Sequence, residues 1–214
     1  MLANDSAVAW DCVLCECPNY STMCYDLSFS YKIYRKDRKL CGEGVLIAIK
    51  DKYISLPVPE LDTEYEIIWC KLELAGLKNM YISSFYNPKT ANEPCYLEYK
   101  RSIDQTTSIK NCVIVSAGDF NLPGWDWKAK CLKENTQHVG IHQRFGEILV
   151  DNGLSQIVEE PTRQTNTPDL LITNHPNSFK RVETLPGVSD HDIVFAEISV
   201  ILSIARKILL YKLG

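Results

Sequence analysis

An Asp and an Asn two residues apart, in Gly118-Asp119-Phe120-Asn121, follow directly on the apolar run CVIVSA at residues 112–117. Residues two apart on an extended chain point the same way. A carboxylate placed there can hold or deprotonate a water, while the amide donates a hydrogen bond to a phosphate oxygen. Gly, Asp and Asn are also turn formers, so a plain turn stays open on composition alone. A second group, Val188-Ser189-Asp190-His191-Asp192, precedes the run IVFAEI. Flanking carboxylates can fix the tautomer of an imidazole and keep it positive near a phosphate. The competing reading is a surface histidine in a charged turn. Asp169 opens the apolar stretch Leu170-Leu171-Ile172. Such a carboxylate is costly to bury alone, and an imidazole is a natural partner for it. Tyr86 ends Ser84-Phe85-Tyr86 ahead of Asn87-Pro88, where its phenol can meet a phosphate oxygen or its ring can simply close a core.

These groups need a scaffold, and the hydrophobic pattern supplies one. Short runs at residues 11–16 (DCVLCE), 44–50 (GVLIAIK), 112–117, 170–173 and 193–198 read as strands, several of them buried. Residues 64–74 (EYEIIWCKLEL) alternate with the period of a half-exposed strand. A turn at 76–79 joins them to MYISSFY at 80–86, which predicts a hairpin. Asn92-Glu93-Pro94 predicts a helix start, with Tyr96, Tyr99 and Ile103 on one face. Ile141, Phe145, Ile148 and Leu149 have helical spacing, and Gly153 is a stop. Strands that both alternate with helices and form hairpins predict a mixed-sheet α/β domain.

With 214 residues the chain can bury a sizeable core, and 45% hydrophobic with 23% charged residues is incompatible with disorder. Its net charge of −4 excludes electrostatic clamping of nucleic acid by the whole molecule, though not a local basic patch or a metal that offsets phosphate charge. The N-terminus shows neither a basic nor an apolar leader, and the apolar stretch at 200–210 is too short and too often interrupted to span a bilayer. The nine cysteines then read as reduced thiols of an intracellular protein, mostly small buried hydrophobes. Cys12, Cys15, Cys17 and Cys24 could be taken for a zinc cluster, but no matching second pair follows.

Taken in order, these motifs resemble the endonuclease/exonuclease/phosphatase superfamily. The resemblance is nearer still to the apurinic-like endonuclease domains of non-LTR retrotransposon polyproteins. It is carried by Tyr34-Arg35-Lys36-Asp37-Arg38, Gly44-Val45-Leu46-Ile47-Ala48, Gly118-Asp119-Phe120-Asn121-Leu122-Pro123, Glu160-Pro161-Thr162-Arg163 and Ser189-Asp190-His191. It implies a four-layer α/β sandwich, two mixed sheets flanked by helices, over residues 1–199. Residues 200–214 resemble the linker towards a reverse transcriptase. It also implies phosphodiester hydrolysis with magnesium or manganese. On that pattern Asp119 activates water, Asn121 and Tyr86 contact phosphate, and His191 meets the scissile phosphate with Asp169 holding its ring. Asp190 lies near the metal. The metal-binding Glu matches Glu16, although Cys17-Pro18-Asn19-Tyr20 after it departs from the pattern; Glu43 is the alternative. The strand that should precede Glu16 and carry an Asn has no counterpart, so the first strand is expected to be lacking.

Lys32, Arg35, Lys36, Arg38 and Lys39, with Tyr31 and Tyr34 among them, predict a basic loop that tracks a DNA backbone or is simply solvated. Trp125 is placed to wedge against a base step or to pack. Gly187 is expected to let backbone approach substrate closely, and His138 and His142 to lie on the surface. The expected activity is that of a monomeric, nuclear DNA endonuclease. A phosphoesterase of the same fold acting on small or lipid phosphates, and an inactive remnant, are the alternatives.

Overall fold

A computed structural model describes residues 30–38, 44–187 and 190–199. The run at 11–16, Glu16, Glu43, Lys39, the four early cysteines and the tail at 200–214 lie outside the described residues.

Twelve strands and two helices are described, with short 3-10 turns between them. They are β1 (Tyr31–Asp37), β2 (Gly44–Lys50), β3 (Ile54–Pro57), β4 (Ile67–Glu73), β5 (Asn79–Tyr86), α1 (Glu93–Thr107), β6 (Cys112–Asp119), β7 (Trp125–Asp126), β8 (Cys131–Leu132), α2 (Val139–Asp151), β9 (Ser155–Gln156), β10 (Asp169–Thr173), β11 (Phe179–Leu185) and β12 (Ile193–Ile198). Six strands form one mixed sheet in the order β3-β4-β5-β6-β10-β9. Its only parallel pair among the described strands is β5–β6, joined through α1, as a parallel pair requires a crossover. The β4–β5 hairpin forms as its turn signal predicts.

Side-chain alternation divides this sheet between two cores. Ile67, Trp69, Phe85, Ile114, Leu170 and Ile172 face the helices, where Tyr96, Tyr99, Ile103, Phe145 and Ile148 meet them. Ile68, Cys70, Ile82, Val113, Val115 and Leu171 face the other way, onto Val45, Ile47 and Ile49 of β2 and Ala196 of β12. The antiparallel pairs β1–β2 and β11–β12 therefore cover the second face. The arrangement is the mixed-sheet α/β domain that the strand pattern predicts, layered as the family resemblance implies. It corrects one expectation: β4 is buried along Ile67–Cys70 on both faces, because each face meets its own covering layer. It corrects another: the basic segment Tyr31–Asp37 is a strand, not a loop. Lys32 Nζ donates to Ser55 O at 2.9 Å, Tyr34 OH to Ser55 Oγ at 2.8 Å, and Lys36 Nζ to Thr63 O, so alternate side chains are tied to neighbouring elements.

Two polar seams run inside the helix-side core. Ser83 and Ser116, opposite each other in β5 and β6, are hydrogen-bonded at 2.7 Å, and Tyr99 OH reaches Ser116 Oγ. Trp69 Nε1 donates to Ser102 Oγ, which donates to Leu61 O. The polar groups of these two seams thus have partners, which avoids a desolvation cost of roughly 1–3 kcal/mol apiece. The four described cysteines are free thiols; Cys70, Cys95 and Cys112 are buried and Cys131 is exposed. No helix among the described residues is long and apolar enough to cross a membrane.

Candidate active site

The end of β6 places Asp119. Gly118 precedes it at φ +144°, opposite Phe85 of β5, and a Cβ on Gly118 would stand 1.8 Å from Phe85 O. Only glycine allows β5 and β6 to stay paired that far. Next comes Phe120, fully buried against Phe85, Tyr99 and Phe145. Its N–H donates to Pro168 O and its carbonyl accepts Tyr96 OH. Phe120 anchors the loop on the helix side and leaves Asp119 on the opposite face, the one covered by the β1–β2 and β11–β12 pairs.

Three neighbouring strands bring three predicted residues side by side there. Tyr86 is the register partner of Asp119 in β5, and Asp169 is its partner in β10. Asp119 and Asp169 are 2% and 7% exposed. Burial, then the charge of Asp169, pushes the Asp119 carboxyl up to about 7, against opposing hydrogen bonding from Asn121 and the charge of His191. Asn121 adopts φ +51°, a conformation Asn tolerates. Its N–H donates to Asp119 Oδ1 at 2.9 Å, and its Nδ2 donates to Asn87 O at 2.9 Å and lies 3.3 Å from Asp119 Oδ2.

The segment between β11 and β12 supplies His191 from the second layer. Its Nδ1 donates to Asp169 Oδ2 at 2.8 Å, which raises the imidazole above its ordinary value despite partial burial. Thr162, fully buried, donates to the same oxygen at 2.6 Å, and its carbonyl accepts the N–H of Asp192. Sequence reasoning passed over Thr162; its place beside Arg163 in a quoted motif was the one available signal. Gly187 makes a close approach, but to this chain's own backbone: an added Cβ would stand 1.9 Å from His191 O.

The remaining candidates sit at varied distances from this centre. Arg38 pairs with Glu66 at 2.5 Å, and its guanidinium lies over the Tyr86 ring, 5.1 Å from the centroid. Burial raises the Tyr86 phenol, Arg38 opposes the shift, and Asp119 adds to it. Arg35 pairs with Asp37 on the exposed side of β1, and Lys36 points towards Thr63. Trp125 is stacked on Trp127 at 5.0 Å, and its Nε1 donates to His142 O, so it packs against α2. His138 is exposed, as expected. His142 is not a surface residue: it is 1% exposed, accepts Gly124 N–H at Nε2 and faces His138 O at Nδ1. Both ring nitrogens close the turn after the Asp119–Asn121 loop, which is why this polar ring is buried.

Asp190 is turned outwards and pairs with Arg163 at 2.5 Å. Among the described residues no three His, Cys, Asp or Glu side chains are grouped to hold a metal. The donors present suit a hard cation only in kind, carboxylate oxygens beside a centre short of positive charge. The described residues alone do not complete a metal centre.

Residues 80–195, more than half of the chain, match the family model described as endonuclease-reverse transcriptase. No curated protein matches the sequence. Solved structures share the fold, three of them as follows. The endonuclease domain of TRAS1, a telomere-specific non-LTR retrotransposon, is 14% identical with a TM-score of 0.64, over 78% of this chain and 80% of that one. The 3′ phosphatase NExo from Neisseria, bound to product DNA hairpin, is 15% identical with a TM-score of 0.56, over 82% of each chain. The human Nocturnin catalytic domain with bound sulfate is 12% identical with a TM-score of 0.58, over 87% and 78%. The matched segment runs from β5 to β12 and holds Tyr86, Asp119, Asn121, Asp169 and His191. On that match the chain belongs to the endonuclease–reverse transcriptase family, within the endonuclease/exonuclease/phosphatase fold.

Proposed function

We propose that the chain hydrolyses phosphodiester bonds in DNA, as the target-nicking endonuclease of a non-LTR retrotransposon. One observation carries the reading. A buried carboxylate raised to about 7 stands next to a carboxylate–imidazole pair where the β11–β12 pair lies over the six-stranded sheet. Asp119 is the base: near neutral pH it is poised to take a proton from water. His191, held at Nδ1 by Asp169, presents its other nitrogen and a positive charge to the phosphate. Asn121 and Tyr86 orient the phosphate oxygens. For Asn121 this means giving up the long contact with Asp119 Oδ2 and keeping the one to Asn87 O. Arg38, over Tyr86, continues the site, and Arg35, Lys36 and Trp125 are assigned to the flanking DNA surface.

Magnesium or manganese is part of the proposal, with Glu16 and Asp190 as its side-chain ligands. When bound, the cation would offset negative charge on the scissile phosphate. Asp190 would exchange an exposed ion pair with Arg163 for it, at a cost of about 1 kcal/mol or less. The DNA hairpin product bound by the Neisseria phosphatase of the same fold supports the substrate class. As the nuclease of a retrotransposon the domain would act in the nucleus, as a monomer. The test offers the protein supercoiled plasmid and inositol phosphates in parallel. Nicking without release of inorganic phosphate is expected; the reverse would move the activity to small phosphoesters.

A further inference from the structure

Asn121 is held by Asp119 on one side and by the segment that follows β5 on the other. Asn87 is fully buried. Its N–H donates to Asp119 O at 2.9 Å and its carbonyl accepts Asn121 Nδ2 at 2.9 Å. Asn87 Nδ2 donates to Lys89 O, which folds the chain back and brings Thr90 over the loop. Thr90 Oγ1 then donates to Asn121 O at 2.6 Å. The backbone of Asn121 is left-handed, so its carbonyl has no strand partner and depends on this hydroxyl. Asn87 Oδ1 is buried with no partner. A buried orphan acceptor costs roughly 1–3 kcal/mol, and among the described residues Trp127 Nε1 and Thr184 Oγ1 are the other buried side-chain polar atoms left unpaired.

We propose that Thr90 is a positioning residue: its hydroxyl fixes the carbonyl of Asn121 and thereby aims the Asn121 amide at the phosphate. This rests on the proposed phosphodiester hydrolysis and adds to it a residue outside the quoted motifs. Thr90 touches neither water nor phosphate in this role. It acts through Asn121 alone, so its loss lowers the rate of the chemical step and leaves DNA affinity nearly unchanged.

The test compares Thr90→Val, which keeps the shape and removes the hydroxyl, with Thr90→Ser, which restores it. Single-turnover nicking is expected to fall on the order of tenfold in the Val variant, with plasmid binding in EDTA within about twofold of the parent. The Ser variant is expected to recover most of the rate. A second readout needs no turnover: exchange of the Asn121 side-chain NH2 protons, followed by NMR. It should quicken on the order of tenfold in Thr90→Val and return in Thr90→Ser. Unchanged Asn121 exchange in a folded Val variant overturns the proposal, as does Val nicking at the parental rate. A parent that never nicks, together with faster exchange in Val, overturns the nuclease reading while leaving the hold of Thr90 on Asn121 in place. If the Val variant does not fold, Thr90→Ala is read by the same two measurements.

Discussion

Asp119 and Asp169 stand directly opposite one another, the last residue of β6 against the first of β10, both buried and both on the face covered by the β1–β2 and β11–β12 pairs. Two carboxylates in that position cannot both ionise cheaply. Asp169 is relieved by Thr162 and His191, which both donate to its Oδ2. Asp119 has the N–H of Asn121 on Oδ1 and the more distant amide on Oδ2, and it is the carboxyl that moves up to about 7. The proposed division of roles between base and imidazole holder rests on that asymmetry.

A pH–rate profile should therefore be bell-shaped. The rising limb reflects ionisation of Asp119, which burial and the charge of Asp169 push up to about 7 and which a bound cation would draw back down. The falling limb reflects loss of the His191 proton, above the ordinary histidine value. Asp169→Asn withdraws the partner of His191 and should move the falling limb to lower pH.

Stability should run the other way. Asp119 binds its proton more tightly folded than unfolded, about 7 against 3.8. Its contribution is complete below about pH 4 and is lost as pH rises through 7. His191, also raised, has the same sign, its contribution being lost as pH climbs past its folded value. Asp119→Asn should abolish nicking yet raise the thermal midpoint at pH 8 by roughly 3–8 °C, with little gain at pH 4. Calorimetry at the two pH values reads this directly.

Gly118→Ala should be among the most damaging single changes outside the reacting groups. The added methyl meets Phe85 O at a distance no relaxation of one side chain can relieve, and φ +144° is itself strained for alanine. A loss of roughly 3 kcal/mol or more is expected in urea titration.

His142 carries a prediction of opposite pH sense. Burial lowers its imidazole below the ordinary value, and Nε2 accepts the Gly124 N–H. A depressed folded value means that its contribution is present above about 6.5 and lost as pH falls through the folded value. His142→Leu leaves the Gly124 N–H without an acceptor. It should cost roughly 1–3 kcal/mol at pH 7.5, and less at pH 5, by urea denaturation.

Much of this fold is legible in the sequence where local pattern decides. Tyr96, Tyr99 and Ile103 mark the buried face of α1, Gly153 follows α2 at φ +61°, and the turn between β4 and β5 forms where its residues predict it. The basic strand β1 is hidden, because Lys32 and Lys36 look solvated until Ser55 and Thr63 are folded against them. The double burial of β4 depends on two layers built from distant segments. Single motifs locate Asp119, Asp169 and His191, but their meeting is a matter of register between β6 and β10 and of how the β11–β12 pair lies over them. No spacing encodes that. Thr162 and Thr90 act through hydroxyls on other residues and carry no pattern of their own.

The most direct test of the central claim is nicking of supercoiled plasmid by the purified chain with magnesium, run beside EDTA and Asp119→Ala. Conversion to open circles that requires both the metal and Asp119 is the predicted result. A soluble, cooperatively folded protein that leaves the plasmid supercoiled, or that nicks equally well without Asp119, would contradict it.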